Sequence, residues 1–209
     1  NASFIGGGTD NLIYSASYRS SIGGGRSNKI YRNSNGCVIA GGRENLIYFG
    51  AYWSFVGSGW GNHIYSGSDM SSIAGGFNNR IYDSTDLSFI GGGQNNFIYN
   101  AAQQSAIVGG KLNKIYDNSN FSFIGDGESN KIYDASNHSS IAGGYTNLIY
   151  DNSDLSTIAG GYRNEIYDNS NQSFIGGGRS NIIEGDSFNS MIGAGESNPI
   201  SHSSDFSSI

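Results

Sequence analysis

An isoleucine returns every 17 residues along this chain: Ile5, Ile22, Ile39, Ile73, Ile90, Ile107, Ile124, Ile141, Ile158, Ile175, Ile192 and Ile209, with Val56 in the one remaining place. No insertion or deletion breaks the series. A strict short period confines a chain to a repeat architecture, in which each unit makes the same contacts with the next. Counted from Asn1, the 209 residues divide into twelve units and a five-residue remnant, Asp205 to Ile209. Residues 120–136, NFSFIGDGESNKIYDAS, are a representative unit, with positions 1 to 17.

The columns of this alignment are nearly uniform. Position 3 is Ser in every unit except at Cys37. Position 8 is Gly, position 11 Asn and position 13 Ile in all twelve units. Position 14 is Tyr in ten, replaced by Glu184 and Ser201 in the last two. Two segments alternate with a period of two, Ser-x-Ile-x-Gly and Asn-x-Ile-Tyr, which marks strands. The spacing predicts two strands of about five residues. The Gly run at positions 6–8 supplies one corner, where positive φ costs little. An Asp-Asn-Ser stretch at positions 15–17 supplies the other.

The expected fold is therefore all-β: a β-solenoid, or β-roll, of twelve 17-residue two-strand coils. It is expected to form a single domain over residues 1–209, as part of a longer chain. Two facing isoleucine columns make the core, represented by Ile5 and Ile13 or by Ile90 and Ile98. Asn11, Asn96 and their equivalents form an inward ladder bonded to backbone or to one another. Helical repeats are excluded. A 17-residue unit with a glycine pair has no room for two helices, and glycine costs about 1 kcal/mol per helical position.

Alternation places positions 4 and 14 outside the coil. Position 4 holds Phe4, Phe55, Phe89, Phe123 and Phe174, separated by small or aliphatic residues. Bare phenylalanines in a row are expected to form an interface. A parallel homotrimer with this column near its axis is the expected cover, and a filament burying it laterally is the rival.

Little in the chain points to chemistry, and no enzyme activity is expected. His63, His138 and His202 fall at positions 12, 2 and 15 and share no column. Asp83, Asp117, Asp134, Asp151 and Asp168 do share one, position 15, where Asp suits the start of a turn and a cation could relieve stacked carboxylates. The pattern of calcium-binding nonapeptide rolls is missing, and so is a phosphate-binding Gly-Lys-Ser/Thr loop. No cofactor or metal is expected. A single cysteine excludes an intrachain disulfide, and Cys37 reads as a small buried residue. The 11 Lys and Arg are scattered and net charge is −6, which argues against nucleic acid. No apolar run is long enough for a transmembrane helix, so membrane insertion is not expected. Asn1, Asn120, Asn137 and Asn171, each two residues before a Ser, make sequons that the repeat itself would generate.

The motif Ser-x-Ile-Gly-Gly-Gly-x-x-Asn-x-Ile runs Ser3 to Gly8 then Asn11-Leu12-Ile13, and again Ser88 to Gly93 then Asn96-Phe97-Ile98. It resembles the left-handed β-roll repeats in the heads of trimeric autotransporter adhesins. It is also similar to the Gly-Gly-Gly-x-x-Asn repeats of long bacterial surface proteins and of phage or giant-virus fibres. The coil here is longer than in the adhesin heads. The resemblance implies a left-handed, homotrimeric fibre or adhesin shaft displayed on a cell or virion surface, facing an unidentified host ligand. Two other functions are open: an extracellular filament subunit stacking end to end, and an ice-binding solenoid. The second is disfavoured because Thr9, Thr85, Thr146 and Thr157 share no column.

Overall fold

A computed structural model describes residues 2–209; Asn1 and its sequon lie outside the described residues. Among these the chain is an all-β solenoid without helix. Its 24 strands run from β1 (Phe4–Ile5) to β24 (Pro199–Ile200) in chain order and alternate between two parallel sheets of twelve. One sheet takes positions 4 and 5 of each coil and the other takes positions 12 and 13. Every pairing joins residues 17 apart, as in Phe89 with Ala106 and Ile98 with Ile115. At the usual strand spacing, twelve coils make a rod of roughly 55–60 Å.

The strands are two residues long, not five, and a third ladder runs at position 9 from Thr9 to Glu196 as isolated parallel bridges. The reason is backbone handedness. Positions 2, 8, 10 and 16 are left-handed through the stack; in one coil these are Leu87, Gly93, Asn95 and Ala101, with φ of 56°, 82°, 55° and 55°. Each such residue turns the chain, so the coil has four bends where the sequence pattern suggested two corners. The bends are bonded as well as the strands. Strand N–H groups donate forward to the next coil, as Phe89 does to Ser105 at 3.0 Å. The left-handed residues at positions 2, 10 and 16 donate backward: Leu87 to Asp69 at 2.9 Å and Asn95 to Phe77 at 3.0 Å. Backbone bonding in both directions offsets the cost of positive φ.

The core is the two isoleucine columns, fully buried from Ile22 and Ile30 to Ile192. Ile90 and Ile98 lie within it, whereas in the first coil Ile5 is 40% exposed and Ile13 is half-buried. Each buried isoleucine contributes roughly 2–3 kcal/mol. Buried serines at positions 3 and 17 line one side of the core. The Ser88 hydroxyl donates to the Ala102 carbonyl at 3.2 Å and accepts the Ser105 N–H at 3.1 Å. Cys37 takes a serine's place in this ladder with its thiol against the Ala51 carbonyl, and burial pushes the thiol up to about 11. A thiol so held stays protonated and poorly nucleophilic.

Candidate interaction faces

With the inside closed by isoleucine, serine and asparagine, everything that can meet a partner stands on the outer columns. Position 4 is the first. Phe55, Phe89, Phe123 and Phe174 are 38–40% exposed. Each phenylalanine in this column is followed two residues later by Gly. A Cβ at Gly91 would sit 3.3 Å from the Phe89 Cε1, so the ring leans over the glycine and is partly covered by its own strand. No two phenylalanines occupy adjacent coils: Ser72 and Ala106 flank Phe89.

The position 2 column is more exposed and was not singled out by the sequence pattern. Trp53, Met70, Leu87, Phe121 and Leu155 are 48–61% exposed, each with φ between 52° and 57°. Bulky side chains rarely occupy that region. Here the backward hydrogen bond fixes the backbone, and the side chain has no direction but outward. Phe121 stacks on His138 one coil later at 4.8 Å. Positions 2 and 4 flank the buried Ser column in sequence, and polar residues such as Arg19, Gln104, Ser72 and Ser140 interrupt both of them. The signal was present in the sequence, as large apolar residues in an otherwise polar turn.

Position 14 carries a ladder of ten tyrosines outside the isoleucine core. Consecutive rings from Tyr14 to Tyr167 stack 4.7–5.0 Å apart and within 12° of parallel. Such a pair contributes about 0.5–1.5 kcal/mol beyond its buried area. Burial among their neighbours raises the phenols of Tyr116 and Tyr150 to about 12. Position 12 lies beside this ladder. His63 packs edge-on against Tyr48 and Tyr65, and burial, reinforced by Arg80, pulls its imidazole down to about 4.

Position 9 pairs by complementarity from coil to coil. Arg43 lies over Trp60 at 4.8 Å, Trp60 meets Phe77 edge-on, Lys111 pairs with Glu128 at 3.2 Å, and Tyr145 stacks on Tyr162. These contacts favour the native register over a slipped one.

The remaining candidates have local duties. Asp83 at position 15 accepts the Ser66 N–H at 3.0 Å, which is a turn role. Burial and the carboxylates of Asp151 and Asp117 hold Asp134 above the usual range. Among the described residues no group of three or more His, Cys, Asp or Glu is arranged to hold a metal ion. Asn120 accepts the Gln103 N–H at 2.9 Å, and its own N–H goes to Asn137 at 3.0 Å. The Asn120 Nδ2, where a glycan would attach, donates to Asn118 and Asn137, both at 3.1 Å, and the sequon's Ser122 is buried. Asn120 thus has a structural duty in its column. No helix among the described residues is long and apolar enough to cross a membrane. No family model matches the chain, and no curated protein matches it either.

Proposed function

We propose that this chain is a rigid shaft segment of a surface fibre or adhesin that associates with copies of itself along the columns at positions 2 and 4. The observation that carries the shaft reading is the unbroken register: two strand ladders and the bridges at position 9 continue from coil to coil, with the bends bonded between them. Such a stack resists bending because each coil is tied to the next all around its perimeter. The exposed column of Trp53, Leu87, Phe121 and Leu155 beside Phe55, Phe89 and Phe123 supports association, since a second copy would remove both from water. A parallel homotrimer is one closed arrangement that treats every copy alike, and it is the one the adhesin resemblance implies. The surface location rests on the resemblance to adhesin and fibre repeats.

End-to-end filament growth is the second reading. Strand donors point forward along the rod, so one edge of a stack offers N–H groups and the other C=O groups. Pro199 interrupts one of these ladders. Position 12 donates to the next coil from Leu12 through Ile182, and a proline there has no N–H to give.

Analytical sedimentation with electron microscopy tests both. The expected result is a discrete elongated oligomer. A monodisperse monomer near 22.2 kDa would overturn the association, and long unbranched filaments would transfer the reading to end-to-end growth.

A further inference from the structure

The tyrosine ladder stops at Tyr167, and the next coil keeps the space but not the ring. Position 14 is there Glu184, followed by Gly185 where most other coils carry a larger polar residue. Tyr150 covers one face of the Tyr167 ring at 4.7 Å. No ring covers the other face, and Tyr167 is the most exposed of the ten at 36%. A cavity of about 480 Å³ fills the gap, lined by Tyr167, Asp168, Ile182, Glu184, Asp186 and His202 among others. That size is within the range of small-ligand pockets, roughly 300–1,000 Å³.

The walls are held in place. The Glu184 Oε2 accepts the His202 backbone N–H at 2.9 Å. The Asp186 Oδ2 lies 3.2 Å from the His202 Nε2, and its Oδ1 accepts from Asn169 Nδ2 at 3.1 Å. A Cβ on Gly185 would come within 3.1 Å of the His202 ring, so the glycine lets the imidazole fold against the chain. No Lys or Arg lines the cavity.

Carboxylates alone would make only a charged patch; the open ring beside them adds a shape. The face of an aromatic ring is negative, as the carboxylates are, and a flat cation between them is attracted by both. A guanidinium fits best, because it is planar, stacks on rings and donates to carboxylates from its edge. We propose that this notch binds the guanidinium of a peptide arginine, stacked on Tyr167 and paired with Glu184 and Asp186.

The test uses proton NMR of the 209-residue chain, whose three histidines give three separable ring signals. The His202 signal is assigned by replacing His63 and His138. N-acetyl-arginine amide is titrated against its neutral isostere, N-acetyl-citrulline amide. The expected result is a saturable shift of the His202 signal in the millimolar range with the arginine probe and none with citrulline. Glu184→Tyr restores the residue that ten coils carry, so it extends the ladder, fills the notch and removes the shift. Glu184→Gln keeps the cavity open and weakens binding about fivefold. Absence of a saturable shift, equal binding of citrulline, or undiminished binding by either variant overturns the proposal. If the tyrosine variant does not fold, the glutamine variant and the citrulline comparison decide it.

Discussion

The Oδ1 of Asn96 accepts the backbone N–H of Asn113, one coil on, at 3.0 Å. The Nδ2 of the same side chain donates to Gly92 in its own coil and to Gly110 in the next, each at 2.9 Å. One carboxamide thus fixes the glycine bend and ties two coils together, and the pattern repeats up the column. Bonds to backbone dominate this ladder; direct contacts between carboxamides are the exception, as between Asn28 and Asn11 at 3.1 Å.

Replacing Asn96 by Leu leaves the buried Asn113 N–H and the Gly92 carbonyl without partners, and leaves the Gly110 carbonyl with the Gln94 N–H alone. Unmet buried groups cost about 1–3 kcal/mol each, so a loss of at least about 2 kcal/mol is expected. Leucine at Gln94 or Lys111, on the outer position 9 column, should cost under about 1 kcal/mol. Thermal melts of the four variants Asn96→Leu, Asn113→Leu, Gln94→Leu and Lys111→Leu check this, and equal melting temperatures would count against the ladder.

Neighbouring glycines should behave differently. Gly93 has φ of 82°, and a Cβ there would run into the Gly110 carbonyl oxygen. Gly92 has open space around it, and Ser58, Asp126 and Ala194 occupy its position in other coils. Gly93→Ala should therefore cost about 3 kcal/mol or more through strain and overlap together, and Gly92→Ala under about 1 kcal/mol. Chemical denaturation separates them; similar midpoints would mean that the bend relaxes more easily than its geometry implies.

The features legible in the sequence are those in which one residue type is required in every coil. Gly93 and its equivalents cannot carry a Cβ, and Asn96 has the one side chain able to accept and donate along this bend. Ile90 and Ile98 must fill the same space in each coil. The outer columns are set by neighbours instead. Position 2 accepts Trp53, Gln104 or Phe121 because the backward backbone bond fixes the turn whatever side chain it bears. Its left-handed φ runs against the preference of those residues, so propensity pointed elsewhere. The extra bends, and with them the two-residue strands, were hidden for the same reason. The notch beside Tyr167 shows in the sequence only as two exceptions, Glu184 and Gly185, whose meaning depends on the ring next to them.

His63 should make the fold sensitive to acid. It titrates near 4 in the folded chain, because burial and then Arg80 oppose its charge, and near 6.5 when unfolded. Between those values the unfolded chain binds more protons, so stability is whole above about pH 6.5 and falls as pH drops toward 4. After allowing for the part of the ring that water reaches, this is about 2 kcal/mol. His63→Leu, matching Leu12, Leu46 and Leu148 at the same position, removes the titration. Melting at about pH 7 and about pH 4.5 should show a larger drop for the parent than for the variant; equal drops would assign the acid response to other groups.

The tyrosine ladder should act at the opposite end of the scale. In the stack, ionising one ring places its charge beside rings 4.7–5.0 Å away and out of reach of full hydration. Tyr116 and Tyr150 accordingly titrate near 12, and Tyr48, Tyr65 and Tyr99 are raised by the same burial. An unfolded tyrosine ionises near 10. Because the folded values are higher, the ladder's contribution is fully present below about pH 10 and is lost as pH rises toward 12. Phenolate absorbance of the folded chain should therefore lag behind that of the urea-unfolded chain, then rise together with loss of the β-sheet circular dichroism signal. Glu184→Tyr adds a ring to the ladder and should move that transition to higher pH, whereas Tyr116→Ser, which breaks the stack on both sides, should move it lower. Folded and unfolded chains titrating along one curve would mean that the rings stand in line without shielding one another.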